Sequence, residues 1–309
     1  LTPSFKAQGG ASARVCLSGE DLDWLGGVSV CLPLKFRTKV GLIDRPSPAD
    51  QELYSEVWRS FRNLGLVSGP SPTFVVDTDI PSSIGLASSS AGVVAAAIAV
   101  NSRFALGLSE EQILRIAYET EFVGTGGGGM DHIASVSADV SVTDGCDGFL
   151  PRRSEGRYEW KADWLVSLVI PPGTKDCRNH IKEVRSWQKY DPARIGAYRS
   201  AVTVASKMIL RAIDQDDIAL LGASMDAAHQ AMRDLFAMST ETLETERSKV
   251  LRAGAAGVKL TGSGGGGCLV VVTQQDRHPE FVEQWLGLRS NASAARLVSN
   301  VGRHREKIG

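Results

Sequence analysis

The chain has 309 residues, 43% of them hydrophobic, and a formal net charge of −1. That is enough apolar material for a large core in one or two domains, and the near-neutral balance gives no electrostatic reason for a nucleic-acid or membrane-surface partner. The five cysteines are scattered without a Cys-x-x-Cys pair, which argues against a disulfide framework or a zinc site. No charged-then-apolar signal pattern opens the chain, and a reducing, cytoplasmic setting is expected.

In chain order, residues 13–18 predict a short strand running into Gly19, Glu20, Asp21, Asp23, Gly26 and Gly27. Three acids within four residues form either a solvated acidic turn or a set of acceptors for a polyhydroxylated ligand. Arg14, just upstream, would serve phosphate or balance that acidity. Alternating segments at 28–34 and 35–43 predict sheet. Residues 51–64 predict an amphipathic helix with Leu53, Val57, Trp58 and Phe61 on one face, between proline-bearing loops at 45–48 and 68–72.

A half-buried strand is expected over 73–80. Pro81 stops it, Gly85 permits a turn, and Ser88, Ser89 and Ser90 stand where the following Ala/Val-rich helix needs its N-cap. Such a strand, loop and helix start aims backbone N–H groups and a helix dipole at one point, which suits a phosphate, although the same pattern also serves as a plain turn and cap. The loop lacks the Gly-Lys-Ser/Thr ending of a Walker A motif. The longest apolar run, at 91–100, is short and alanine-rich and reads as a buried helix. Ser109 and Gln112 bracket a capping box for a helix reaching Gly124. The four consecutive glycines Gly126 to Gly129 then precede Met130, Asp131 and His132. Asp131 is either a helix-terminal acid or a reactive carboxylate, and the glycines favour close approach to a ligand. His132 is either a buried structural imidazole or a ligand contact.

Residues 139–142 predict a strand, and the polar stretch at 146–157 is the candidate domain boundary. A strand at 165–170 is followed by a basic helix at 178–190 and long helices at 192–213, 218–236 and 240–253. Two strands then flank the glycine loop that begins at Gly262, and a helix at 279–288 and a strand at 296–301 close the pattern. No low-complexity tract or solenoid repeat occurs.

Four stretches in this order resemble the GHMP small-molecule kinases, and the galactokinase family among them. Arg14-Val15-x-Leu17-x-Gly19-Glu20-x-x-Asp23-x-x-Gly26-Gly27 is similar to the galactokinase sugar-binding signature. Pro81-x-x-x-Gly85-Leu86-x-Ser88-Ser89 is similar to the phosphate loop, and Glu119-x-Glu121-Phe122-Val123-Gly124 with Gly129-Met130-Asp131 to the segment carrying the catalytic aspartate. Lys259-Leu260-Thr261-Gly262-Ser263-Gly264-x-Gly266-Gly267-Cys268 is similar to the third family motif.

The resemblance implies an α/β and α+β two-domain fold. An N-terminal domain of the ribosomal-protein-S5 type would span 1–160, a ferredoxin-like C-terminal domain 161–309, and the active site the cleft between them. It implies a phosphotransferase with an alcohol acceptor, using ATP and Mg2+, as a monomer or homodimer. Asp131 would accept or orient the proton of the attacking hydroxyl, and Arg14 would stabilise that oxygen and the moving phosphoryl group. Glu20, Asp21, Asp23, Gly129 and His132 would meet the acceptor. Pro81, Gly85, Leu86, Ala87, Ser88, Ser89, Ser90 and Gly264 would meet ATP, with Ser89, or Ser88 in its place, and Glu119 as metal ligands. The sequence departs from galactokinases at Asp21, where they carry histidine, at Trp24, where they carry tyrosine, and at His132, where they carry glutamine. The basic 178–190 segment stands in place of their arginine-rich sugar-contact segment. The expected acceptor is therefore the anomeric hydroxyl of galactose, of a modified or higher-carbon sugar, or of a sugar phosphate. The alternatives are a mevalonate- or homoserine-type kinase and a non-catalytic sugar and ATP sensor.

Overall fold

The computed structural model describes residues 8–46, 51–125, 128–145, 150–172, 177–288, 295–299 and 301–302. Gly126 and Gly127 of the glycine loop, and Cys146 at the start of the expected domain boundary, lie outside them.

The first half is built on β2 (Gly27–Pro46). Two separate alternating segments were expected here, but Val30, Leu32, Leu34, Val40 and Leu42 are all buried, so one period-2 pattern runs unbroken through a single strand. On one edge β2 pairs antiparallel with β1 (Gly9–Ser18). On the other it pairs with β4 (Ser141–Gly145) near its start and β3 (Pro72–Thr78) near its end. The two-residue β5 (Arg152–Arg153), unforeseen in the sequence, extends the sheet beyond β4. The Ala/Val helix α3 (Ser88–Arg103) lies against β1 and β2 with ten buried residues. The approach is close because Gly9 lacks a side chain: a Cβ there would sit 2.1 Å from the Ala95 carbonyl oxygen. Around α3 pack α2 (Glu52–Asn63), α4 (Glu110–Thr125) and α5 (Met130–Val136). The acidic turn contains a one-turn helix, α1 (Leu22–Leu25), that the sequence reading did not anticipate.

The second half carries an antiparallel sheet in the spatial order β7 (Gly257–Thr261), β8 (Cys268–Gln274), β6 (Trp164–Ile170) and β9 (Arg296–Val298). With it go α6 (Cys177–Tyr190), α7 (Pro192–Gln215), α8 (Ile218–Asp234), α9 (Glu241–Arg252) and α10 (His278–Gly287). The three long helices start where side chains cap them: Asp191, Asp217 and Thr240 accept from the backbone N–H of Arg194, Leu220 and Leu243. Their apolar stripes form a core around Tyr198, Met232, Phe236 and Trp285. Hydrogen bonds sew the halves together, and two such places link the sheets. Val301 accepts from Lys35 N at 3.0 Å and donates to Val166 O at 2.8 Å, and Cys16 N donates to Thr261 Oγ1 at 2.8 Å. The second contact seats the loop after β7 beside the end of β1. Among the described residues no helix is long and apolar enough to cross a membrane.

Candidate active site

A cleft of about 590 Å³ lies where the end of β1, the start of α3, the start of α5 and the loop after β7 converge. At its centre Arg14 and Asp131, 117 positions apart, meet as a bidentate pair with Nε–Oδ1 at 2.6 Å and Nη2–Oδ2 at 2.8 Å. The third guanidinium nitrogen, Nη1, donates to the Gly85 carbonyl at 2.6 Å, so one side chain ties β1 to α5 and to the loop before α3. The arginine side chain is 4% exposed and the aspartate 20%, so the carboxylate is the more open partner. Burial works against the Arg14 charge, but Asp131 overrides it and raises the guanidinium above its ordinary value.

The loop before α3 differs from expectation in its cap. The helix begins at Ser88, and the N-cap is Ala87, held left-handed at φ 60° with no side chain capping the helix. Gly85, Leu86, Ala87, Ser88, Ser89 and Ser90 all line the cleft, so the positive end of the α3 dipole opens onto it. Pro81, expected among the ATP contacts, precedes this wall and is not part of it.

The expected metal ligand Glu119 does not reach the cleft. It is exposed and lies outside the cleft wall, whereas Glu121, two residues on, is buried and lines it. Burial pushes the Glu121 carboxyl up, but His132 together with the Ser90 and Ser89 hydroxyls outweighs it and holds the carboxyl below its usual range. Glu121→Gln is therefore expected to raise the Mg2+ concentration needed for half-maximal rate by about tenfold or more, while Glu119→Gln stays near wild type; a Mg2+ titration of both variants checks this.

The three acids after β1 all line the cleft, in three different states. Asp21 sits left-handed at φ 63°, and both its oxygens are engaged, Oδ1 by Trp24 Nε1 at 3.1 Å and Oδ2 by His180 Nε2 at 3.0 Å. Glu20 is paired through Oε1 with Lys259, while its Oε2 is buried without a hydrogen-bond partner among the described residues. Asp23 accepts from Met130 N at 3.2 Å. A Cβ on Gly128 would stand 1.7 Å from Asp23 Oδ2, so only glycine leaves room for that carboxylate.

Burial, then repulsion from Asp131 and Asp21, pushes the Asp23 carboxyl from 3.8 up to about 7. A carboxyl raised in the fold favours folding at low pH, and that contribution is lost as pH rises from about 4 to about 7. Asp23→Asn is thus expected to flatten the stability curve over that window and to be more stable than wild type at pH 8, by on the order of 2–4 kcal/mol in denaturant melts.

Two expected acceptor contacts are absent from the cleft wall. His132 is buried behind it, its Nε2 3.0 Å from Glu121 Oε2 and its ring edge-on to Tyr118. Burial opposes charge on this imidazole, but Glu121 reverses the balance and raises it. Gly129 instead packs against Pro151 and Leu150. Gly264, expected among the ATP contacts, is likewise absent from the cleft wall: at φ 72° it packs on Met238, whose carbonyl accepts from Gly265 N at 2.8 Å, and it is Gly262 and Ser263 that line the cleft. Sequence reasoning assigned no site role to Lys259, Tyr54 or Ile181. Lys259 stands in a recognised motif, but the partner that gives it meaning is 239 positions away. Tyr54 and Ile181 reach the wall from α2 and α6 without any motif to mark them.

Family models for the GHMP kinases match this chain twice, the N-terminal domain model over residues 52–139 and the C-terminal model over 209–287. The chain belongs to the GHMP kinase family. A mevalonate kinase from Aeropyrum pernix is 29% identical over 261 residues, covering 82% of this chain and 77% of that protein. A galactokinase from Mycobacterium bovis is 24% identical over 246 residues, covering 67% of this chain and 66% of that protein. The crystal structure of L. major mevalonate kinase in complex with R-mevalonate superposes with a TM-score of 0.73 at 18% identity over 97% of both chains, a likeness of fold. The expected two-domain GHMP kinase fold is the observed one. The expected emphasis on galactokinases is not singled out, because the mevalonate kinase match is longer and higher in identity.

Proposed function

We propose that this protein transfers the γ-phosphoryl group of ATP to a hydroxyl of a neutral, polyhydroxylated acceptor, a sugar or sugar derivative, with the anomeric hydroxyl as the attacking group. The observation that carries the reading is that a bidentate Arg14–Asp131 pair opens into the same cleft as the uncapped start of α3. Such a cleft suits phosphoryl transfer, which needs positioning and charge neutralisation more than covalent help from the protein.

In this reading the γ-phosphate lies against the α3 start, between Ser88, Ser89 and Ser90. The acceptor hydroxyl hydrogen-bonds to Asp131. As its oxygen bonds to phosphorus and the bond to the ADP oxygen breaks, the proton passes to the Asp131 carboxylate. Because Asp131 already carries two guanidinium bonds, it orients the hydroxyl early and takes the proton late. Arg14 adds fixed positive charge beside the developing oxyanion. Ser89, with Ser88 as the alternative, and Glu121 are the oxygen donors for Mg2+. An Mg2+ ion held by so few protein oxygens would keep most of its shell for phosphates and water. Bound there, Mg2+ would neutralise phosphate charge.

The choice of acceptor follows from charge. Among its described residues the cleft wall carries Glu20, Asp21, Glu121 and Asp131, with the Asp23 carboxyl raised to about 7, against Arg14 at the wall and Lys259 bonded to Glu20 behind it. A carboxylate-bearing acceptor of the mevalonate or homoserine type would be repelled, whereas hydroxyl donors match ionised acceptors. The division into domains at 1–160 and 161–309 goes with this reading, supported by the first sheet ending at Arg153 and the second beginning at Trp164. The anomeric assignment is tested with a methyl glycoside of any free sugar that is turned over. Loss of phosphorylation in the blocked sugar is expected; retained phosphorylation moves the reacting hydroxyl elsewhere on the ring.

A further inference from the structure

Lys259 is fully buried in β7, on the C-terminal side of the cleft, yet its ammonium serves three acceptors. It bonds the Glu20 carboxylate through Oε1, the Leu260 carbonyl at 2.6 Å and the Cys16 carbonyl at 3.4 Å. Glu20 and Cys16 belong to the N-terminal half. The backbone carbonyl of Glu20 is held from the same side, by the Tyr198 hydroxyl at 3.0 Å, and that ring is stacked on Phe236 with centroids 3.6 Å apart. Both the main chain and the side chain of Glu20 are thus gripped by residues of the C-terminal half.

A buried ion pair serving only to hold the fold is expected to satisfy its lone pairs, since an unmade hydrogen bond on a buried charge is costly. It also adds little net stability over an apolar replacement. Among the described residues, this pair leaves Glu20 Oε2 buried and unpartnered in a residue that lines the cleft. A ligand hydroxyl is the donor that completes it.

We infer that Lys259 is a positioning residue for the acceptor: by holding Oε1 it keeps Glu20 turned so that Oε2 receives a hydroxyl of the acceptor, making acceptor affinity depend on how the C-terminal half is docked. This rests on the polyhydroxylated-acceptor reading above. Arg14 and Asp131 perform the transfer, and Lys259 touches neither the acceptor nor the phosphate.

The test measures KM for the acceptor, KM for ATP, kcat and the thermal midpoint in the full chain carrying Glu20→Gln, Lys259→Met, or both. The probes are D-galactose and a panel of free sugars and sugar phosphates with MgATP. Glu20→Gln keeps an oxygen for Lys259 and is the variant least prone to misfold; it is expected to raise the acceptor KM about tenfold or more while ATP KM and kcat move less than about threefold. Lys259→Met is expected to raise the acceptor KM similarly, and the double variant to resemble the worse single one instead of multiplying the two, because the two side chains act as one unit. A midpoint that falls in Lys259→Met with the acceptor KM unchanged, or an unchanged acceptor KM in Glu20→Gln, overturns the inference while the acceptor reading stands. A wild-type protein that turns over none of these probes overturns the acceptor reading, and this inference with it.

Discussion

Asp131→Asn is expected to lower kcat by about 10²–10⁴-fold while the dissociation constant for ATP changes less than about threefold. Asparagine keeps the shape and one acceptor oxygen for Arg14 but cannot take the proton that the attacking hydroxyl must lose. In the proposed reading the nucleotide is held elsewhere, by the start of α3, so binding and chemistry separate in this variant. Single-turnover phosphorylation alongside ATP binding by calorimetry measures both quantities on one preparation. A variant with near wild-type kcat would remove Asp131 from the chemistry and leave it as the partner of Arg14.

Arg14→Met is expected to damage both activity and fold. The transferring group loses its fixed cation, for a fall in kcat of about 10²–10³-fold. At the same time the Asp131 carboxylate and the Gly85 carbonyl lose their donors, and breaking a buried pair from one side costs about 3–5 kcal/mol. Arg14→Lys restores the charge but not the planar fork that reaches two carboxylate oxygens and a carbonyl together, so it should recover part of the stability and little of the rate. Denaturant melts and steady-state kinetics on the pair of variants separate these losses. Equal loss of stability in both, with full activity in either, would contradict this division of roles.

Much of the site was legible in the sequence because its chemistry is written in short local stretches. The acids after β1, the Gly/Ser loop before α3 and the stretch carrying Gly128 and Asp131 each combine a turn requirement with a reactive residue type, and all three converge on one cleft. What failed to show was phase and partnership. Glu119 and Glu121 differ by two helical positions, about 200° around the axis, so a motif that contains both leaves open which one faces the cleft until α4 is docked. Asp21 and Glu20 look alike in the sequence. One is saturated by Trp24 and His180 and the other is clamped by Lys259, and His180 and Lys259 lie 159 and 239 positions away from them. Gly264 reads as a phosphate contact from its motif, yet its backbone freedom is used to pack on Met238. In the fold, strand period and helix caps located most elements. The unbroken β2 was split in the reading because its pattern runs past the length of an ordinary strand, about 5–6 residues.

The most direct test is ADP release from MgATP by the wild-type chain, with free sugars including D-galactose and sugar phosphates set against mevalonate and homoserine. Turnover of at least one free sugar, with kcat/KM exceeding that for mevalonate, homoserine and sugar phosphates by about 10²-fold or more, is the predicted result. Turnover of mevalonate or homoserine alone would contradict the charge reading of the cleft. ATP binding with no turnover of any acceptor would contradict the kinase itself and leave a sugar and nucleotide sensor on the same fold.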